Sequence, residues 1–145
     1  MWSKIRVKLI EMLPLCLKDK VDFQMTAYRF GYRSLDKGHQ LPTIAIIYNG
    51  EVVLRTYKYV DNPIEQIDEN QFDTDHLFNS IRKYIDQKHE LTRYIDDKYM
   101  RLLTLLDKRN GKRTITSLVN DYYKCENEQL KKIYEIRFDA ENINY

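Results

Sequence analysis

The chain has 145 residues, of which 43% are hydrophobic and 32% are charged, and its formal net charge is +2. This length suits one domain that buries about 70% of its unfolded surface, and the composition excludes an intrinsically disordered chain. No apolar run approaches the roughly 20 residues of a membrane span, and charged residues follow Trp2 where a secretory signal needs an apolar run. We therefore predict a single soluble, cytoplasmic domain over residues 1–145, without membrane contact.

The charge is distributed unevenly along the chain. Residues 1–60 carry a net charge of +5, residues 61–100 carry −5, and residues 101–145 carry +2. A dedicated nucleic-acid-binding domain usually shows a basic excess throughout. The alternation instead favours attraction between parts of one chain or between copies of it.

The first 60 residues hold the signals for one helix and three strands. Apolar positions at helical spacing predict an amphipathic helix over residues 2–15. Alternation of apolar and polar residues predicts a half-buried strand over residues 21–28, and two further strands cover 41–48 and 51–60. We predict an α+β fold in which the N-terminal helix packs on a three-stranded antiparallel sheet.

Asn49 and Gly50 separate the second and third predicted strands and are a strong signal for a hairpin. A type I′ turn needs positive φ at both central positions, which Asn and Gly adopt at little cost. With this turn Ile47 faces Val52. The face predicted to point into the core carries Ala45, Ile47, Val52 and Leu54.

Residues 61–76 form an acidic connector with six Asp or Glu and no Lys or Arg. Their spacing matches no calcium-binding loop, so we predict no metal site. Asp73 is placed to cap the next helix. The connector is expected to dock against the basic N-terminal helix, within one chain or between two copies.

Residues 77–145 form the predicted helical half, a bundle of three or four helices. An apolar stripe begins at Leu77 and continues to Leu106, with a break or bend at residues 89–92. A further helix contains Ile115, and Ile133 and Arg137 lie on the apolar stripe of the last one.

A basic corner, residues 108–113, joins two of these helices. In the structural interpretation, the cations interact favourably with the negative end of the helix dipole at a helix C-terminus, by roughly 0.3–1 kcal/mol each. Gly111 ends that helix in the left-handed conformation, and Thr114 caps the next one. Asp107 pairs with Arg109 or Arg113. In the functional interpretation a phosphate or acidic partner binds at the start of that next helix. The candidate binding residues are Lys108, Arg109, Lys112, Arg113 and Thr114.

Twelve tyrosines are about two or three times the usual number for this length. Those predicted on helices include Tyr122 and Tyr123. Tyrosine concentrates at binding hot spots, and it also suits the edge of a core that contains few Phe. Both interpretations remain open.

No motif in the sequence indicates catalysis. The three histidines are scattered, there is no P-loop, GxSxG, GxGxxG or HExxH segment, and Cys16 and Cys125 are expected to be reduced, partly buried thiols. We predict no catalytic residue and no cofactor, which favours a protein that is not an enzyme.

Several segments resemble a family of short uncharacterised bacterial proteins. They are the opening Met1-Trp2-Ser3-Lys4, Leu17-Lys18 before Val21, Thr26 with Tyr28 and Arg29, residues 102–113, and Ile133-Tyr134, Arg137 and Ala140-Glu141. The family's corner reads Asp-Lys/Arg-Arg, a variable residue, then Gly-Lys-Lys/Arg, and Asp19 stands where the family usually has glycine. The resemblance implies a bacterial, cytosolic protein and brings no catalytic or binding residue to this chain.

The leading hypothesis is a non-enzymatic protein–protein interaction domain, of inhibitor or immunity type, whose partner is another protein or a second copy in a homo-oligomer. The split charge and the tyrosine excess motivate it. The alternative is a nucleic-acid-binding or phosphate-binding protein that uses the basic corner.

Overall fold

The computed structural model describes residues 2–26, 43–57, 71–86 and 97–145. The architecture is α+β, as predicted: an N-terminal helix, a sheet, and then helices. Predicted features at residues 27–28, 41–42, 58–70 and 87–96, among them most of the acidic connector and the predicted break at 89–92, lie outside the described residues. The elements in chain order are α1 (Trp2–Met12), β1 (Val21–Thr26), β2 (Thr43–Tyr48), β3 (Glu51–Tyr57), β4 (Phe72–Asp73), α2 (Thr74–Asp86), α3 (Lys98–Leu105), α4 (Lys112–Thr116), α5 (Val119–Lys124) and α6 (Glu128–Ala140).

The sheet has four strands in the order β1-β2-β3-β4 within the described part of the chain. The first three are antiparallel, but β4 runs parallel to β3 and pairs Phe72 with Thr56. The prediction of three purely antiparallel strands is therefore wrong by one strand. A strand of two residues is too short to leave a period-two pattern in the sequence.

The hairpin between β2 and β3 forms as predicted, with φ of 50° at Asn49 and 84° at Gly50. Its core face forms in part, since Ala45 and Leu54 are buried as predicted, whereas Ile47 is half-buried and Val52 is exposed. Ile47 opposes Val52, but Ile46 opposes Leu54, so β3 holds one extra residue and the ladder contains a bulge.

The bulge decides which side chains of the hairpin are buried. Val52, predicted to face the core, is 48% exposed, whereas Ile44 and Ile46, which lie outside the predicted core face, are at most 2% exposed. An extra residue in one strand reverses the inside and outside positions beyond it. The pairing counted from the turn therefore holds only for Tyr48 with Glu51 and for Ile47 with Val52.

One continuous cluster of buried apolar residues runs from Leu9 to Ile143 and joins the helix, the sheet and the helical half. Helix α1 packs on the sheet, as predicted, where Leu9 meets this cluster and Arg6 pairs with Asp22 of β1 at 2.7 Å. That pair is partly exposed and contributes little to stability. Apolar burial therefore holds α1 in place.

The predicted helix cap at Asp73 is confirmed, because its carboxylate accepts the His76 N–H at 2.8 Å. Among the described residues, no helix is both long and apolar enough to cross a membrane.

Tyr134 on α6 makes the stability of this core sensitive to alkaline pH. Burial raises its pKa to about 12, whereas tyrosine in an unfolded chain titrates at about 10. A raised pKa in the folded state stabilises the protein below about pH 10, and this stabilisation is lost as the pH rises from about 10 towards about 12.

We expect the free energy of unfolding to fall over that range, and to fall less steeply in Tyr134→Phe. Urea denaturation followed by circular dichroism between about pH 9 and about pH 12 measures both slopes. Tyr123→Phe, which removes an exposed hydroxyl, is the control and should keep the wild-type slope. An unchanged slope in Tyr134→Phe would contradict the assignment.

Candidate interaction surfaces

Helix α3 ends at Leu105, and the chain then passes through Asp107 into the basic corner. The Lys108 N–H donates to the carbonyl oxygen of Met12 at 2.7 Å, which ties the corner to the last residue of α1. The Asn110 side-chain amide donates to the Thr104 carbonyl at 2.9 Å. These two bonds therefore tie the corner to the C-terminal ends of α1 and α3.

Asp107 is the acceptor at the centre of the corner and is 1% exposed. Its carboxylate accepts the Tyr84 hydroxyl at 2.5 Å, and Arg109 Nε and the Arg109 N–H, each at 2.9 Å. The expected pairing of Asp107 with Arg109 is therefore confirmed. The hydrogen bond to Asp107 is the main cause that raises the pKa of Arg109. The pKa of Tyr84 is also raised, mainly by burial and secondly by its hydrogen bond to Asp107.

Arg137 of α6 closes the corner from inside the core, where it is 1% exposed. Its guanidinium donates to the carbonyl oxygens of Leu105 at 2.7 Å and Asp107 at 3.2 Å, and also to that of Asn110. Its Nη2 pairs with Glu141 at 3.2 Å. Carbonyl groups at the end of a helix lack hydrogen-bond donors within the helix, and Arg137 supplies the donor for that of Leu105.

The sequence pattern did not predict this role for Arg137, although a signal was present. An arginine between Ile136 and Phe138 on the apolar stripe of a helix is directed into the core, and a buried charge needs partners. Carbonyl groups after a helix end are the partners that such an arginine can reach.

Two predicted details of the corner are wrong. Gly111 has φ −76° and ψ 175°, so it is extended and precedes α4 as its N-cap, and it is not a left-handed stop. Thr114 lies inside α4 and does not cap it. The carbonyls that a glycine stop would serve, those of Leu103 and Thr104, already accept the Leu106 and Asp107 N–H groups, so the end of α3 needs no residue with positive φ.

The remaining candidate cations, Lys108, Lys112 and Arg113, are exposed together on the outside of the corner. The described residues offer their side chains no hydrogen bond or ion pair. Arg109, in contrast, is neutralised by Asp107 at 2.7 Å. Helix α4 has only five residues, which is too short to add a strong dipole.

A second surface, the C-terminal aromatic surface, consists of Tyr122, Tyr123 and Tyr145. Tyr122 is the centre, with edge-on contacts at 5.0 Å to Tyr123 and 5.4 Å to Tyr145, and it also packs on Phe138 at 5.6 Å. Tyr123 is 62% exposed and Tyr145 is 42% exposed. The exposed rings are therefore supported from below by the core.

Carboxylates and one cation border this surface. The Tyr122 hydroxyl donates to Glu135 at 3.3 Å and the Tyr145 hydroxyl donates to Asp139 at 2.8 Å. The bond to Asp139 is the main cause that raises the pKa of Tyr145 to about 12. Lys131 places its ammonium group 5.2 Å from the centre of the Tyr122 ring.

Tyr145 was missed as a candidate because it follows the end of α6, where helical periodicity no longer applies. The Ile143 N–H donates to the Phe138 carbonyl at 2.9 Å and turns the chain back over α6. Tyr145 then packs against Phe138 at 5.1 Å.

Arg101 of α3 is the second buried arginine and is 3% exposed. Its nearest carboxylate oxygen is Asp121 Oδ2, at 3.6 Å from Nη2. Its Nη1 is buried and finds no hydrogen-bond partner among the residues that the structure describes. Arg101 and Arg137 thus both lie in the core, but Arg137 makes several hydrogen bonds there and Arg101 makes few within the described residues.

Within residues 2–26, 43–57, 71–86 and 97–145, no three His, Cys, Asp or Glu side chains gather in a way that could hold a metal ion. The described part of the acidic connector contains Asp73, which caps α2, and Asp75 at the start of α2. The α1 residue Arg6 pairs with Asp22 of β1. The expected docking of residues 61–70 on α1 falls outside the described residues.

Comparison with known proteins places the chain in a family. Residues 55–138 match the model of the SF0329 protein family, and these residues include the basic corner, α6 as far as Phe138, and Tyr122 with Tyr123. No curated protein and no solved structure matches the chain.

The two buried arginines allow a direct test of the corner. Arg137→Met leaves three carbonyls and Glu141 without their donor, and we expect it to lower the free energy of unfolding by about 3–5 kcal/mol. Arg101→Met removes a guanidinium that is poorly paired, and we expect a change within about 1 kcal/mol of wild type, in either direction.

Urea denaturation of both variants measures the difference, and each variant serves as the control for the other because both replace a buried arginine on a helix by methionine. Similar losses in the two variants would contradict the role given to Arg137.

Proposed function

The chain belongs to the SF0329 protein family, and we propose that it acts as a non-enzymatic protein–protein interaction domain that binds its partner through the C-terminal aromatic surface. In our proposal it works in the bacterial cytoplasm, as an inhibitor-type or immunity-type binder or as a homo-oligomer.

The exposure of Tyr123 and Tyr145, at 62% and 42%, is the observation that carries this proposal. Tyrosine is enriched at binding hot spots because a large, rigid ring gives contact area at a low cost in entropy. Here the contacts with Tyr122 and Phe138 already orient the two rings. Binding then loses little side-chain freedom, which favours affinity.

The titratable groups of the described residues give less support to an enzyme. The raised pKa values of Tyr84 and Arg109 arise where these side chains bond to Asp107 in the corner. A groove of about 380 Å³ beside α1 is open and carries charges of both signs, and two of these, Arg6 and Asp22, are bonded to each other. The other charged residues that line the groove are Glu11, Lys18 and Asp19, and the described lining contains no histidine, cysteine or serine. Both places therefore give little support to a nucleophilic or histidine-based mechanism.

A second candidate function is nucleic-acid or phosphate binding through the basic corner. The three exposed cations Lys108, Lys112 and Arg113 favour it, because their side chains have no polar partner in the described parts of the chain. Binding of this kind weakens steeply as the salt concentration rises. It would be lost on Lys112→Glu and would not depend on Tyr123 or Tyr145.

An affinity pull-down from lysate of the source organism separates the two functions. We expect wild-type protein to retain a protein partner in equal amount with and without nuclease. The double variant Tyr123→Ser, Tyr145→Ser should retain roughly tenfold less, because it removes the exposed anchors of the surface.

Tyr57→Ser is the matched control, since Tyr57 on β3 is 44% exposed and lies outside the aromatic surface. It should bind as wild type does, and so should Lys112→Glu. Retention that disappears with nuclease and with Lys112→Glu would reject the aromatic surface and support the second function.

A further inference from the structure

We propose that the C-terminal aromatic surface recognises a cationic side chain, an arginine or a lysine, presented by the protein partner. This inference rests on the proposed function and specifies the chemistry of the partner. It follows from the aromatic faces, from the charges that surround them, and from a cation of the chain that already occupies one ring.

The aromatic faces are the first part. Tyr123 and Tyr145 both contact Tyr122 edge-on, at 5.0 and 5.4 Å with interplanar angles of 67° and 80°. Tyr123 is 62% exposed and Tyr145 is 42% exposed. The negative face of an aromatic ring attracts a cation that lies within about 6 Å of its centre. No cation of the described residues lies over either ring, so both are open to a partner.

The surrounding charges are the second part. Glu135 and Asp139 accept the hydroxyls of Tyr122 and Tyr145, so two carboxylates stand at the edge of the rings. Lys131 offsets one of these charges. The charged groups that contact these rings in the described part of the chain are thus two carboxylates and one cation, which favours an ammonium or guanidinium group over a phosphate.

Lys131 is the third part, because it shows the mode of binding within the chain itself. Its ammonium group lies 5.2 Å from the centre of the Tyr122 ring, and Glu135 holds the hydroxyl of the same ring. Tyr145 repeats this arrangement with Asp139 on its hydroxyl, but without a cation from the described residues over its face. A cation from the partner would complete the second arrangement.

The acidic edge also distinguishes this surface from the basic corner. The corner exposes Lys108, Lys112 and Arg113 and fits an anion, whereas the aromatic surface exposes rings beside Glu135 and Asp139 and fits a cation. The two surfaces thus select partners of opposite charge.

The test uses the full chain and the peptide Ac-Gly-Arg-Gly-NH2 as the probe. Its neutral counterpart contains citrulline, which keeps the shape of arginine and removes the charge. We expect the ring-proton resonances of Tyr123 and Tyr145 to shift saturably with the arginine peptide. Binding of the citrulline peptide should be weaker by about fivefold or more.

Two variants locate the effect. Asp139→Asn keeps a side chain of the same size while removing its charge, and should weaken binding of the arginine peptide severalfold. The control Glu51→Gln removes an exposed carboxylate at the hairpin and should leave binding unchanged. Thermal unfolding of each variant checks that the fold is intact.

The outcomes separate this inference from the proposed function. If the arginine and citrulline peptides bind equally, or if neither binds while the pull-down still depends on Tyr123 and Tyr145, the cation inference fails and the interaction domain stands. If the pull-down does not depend on these tyrosines either, both fail. Charge-selective binding that Asp139→Asn weakens supports the inference.

Discussion

The guanidinium of Arg137 is the group on which the rest of the helical half depends. It lies in the core and donates to the carbonyl of Leu105, the last residue of α3, and to those of Asp107 and Asn110 in the turn that follows. It also pairs with Glu141, just after the end of α6. A buried charge is tolerated only when its hydrogen bonds are made. Residues 105–110 therefore fold so that their carbonyls accept the hydrogen bonds of this guanidinium. The position of the basic corner follows from that arrangement.

The same region shows how one residue type serves two purposes. Tyr84 is buried and gives its hydroxyl to Asp107, so it belongs to the corner. Tyr122 is also buried, but it carries two exposed neighbours, Tyr123 and Tyr145, on its ring. A tyrosine excess in the sequence combines both uses, and only the packing separates the rings that support the fold from those that are available to a partner.

The features that could be predicted from sequence depend on neighbours along the chain. The turn at Asn49 and Gly50 and the cap at Asp73 are local, since each depends on the φ angle or on the hydrogen bond of a few adjacent residues. The helix–sheet–helix order also followed from periodicity. The missed features depend on distant partners: the bulge after Ile46 and the strand Phe72–Asp73 arise where segments meet in space.

The corner illustrates the same limit for the candidate site. The sequence was sufficient to predict a corner rich in cations between two helices. It also predicted the pairing of Asp107 with Arg109, because these two residues are close along the chain. The conformation of Gly111 could not be inferred from its neighbours, because Arg137, 26 residues away, holds the chain after α3 through the Leu105, Asp107 and Asn110 carbonyls. Tyr145 was hidden in the same way, since its position depends on the turn at Ile143.

The hydrogen bond from Lys108 to the Met12 carbonyl has a consequence for the order in which the chain acquires its structure. The end of the first helix is completed by a residue nearly a hundred positions later. The carbonyls of Asp107 and Asn110, on either side of that residue, are held by Arg137, further still along the chain. During synthesis the N-terminal helix therefore leaves the ribosome long before its partners do. Contacts of such long range close late and slow the final step of folding. Helix α1 can therefore pack on the sheet early, whereas the hydrogen bond at its C-terminal end forms only once the helical half has emerged.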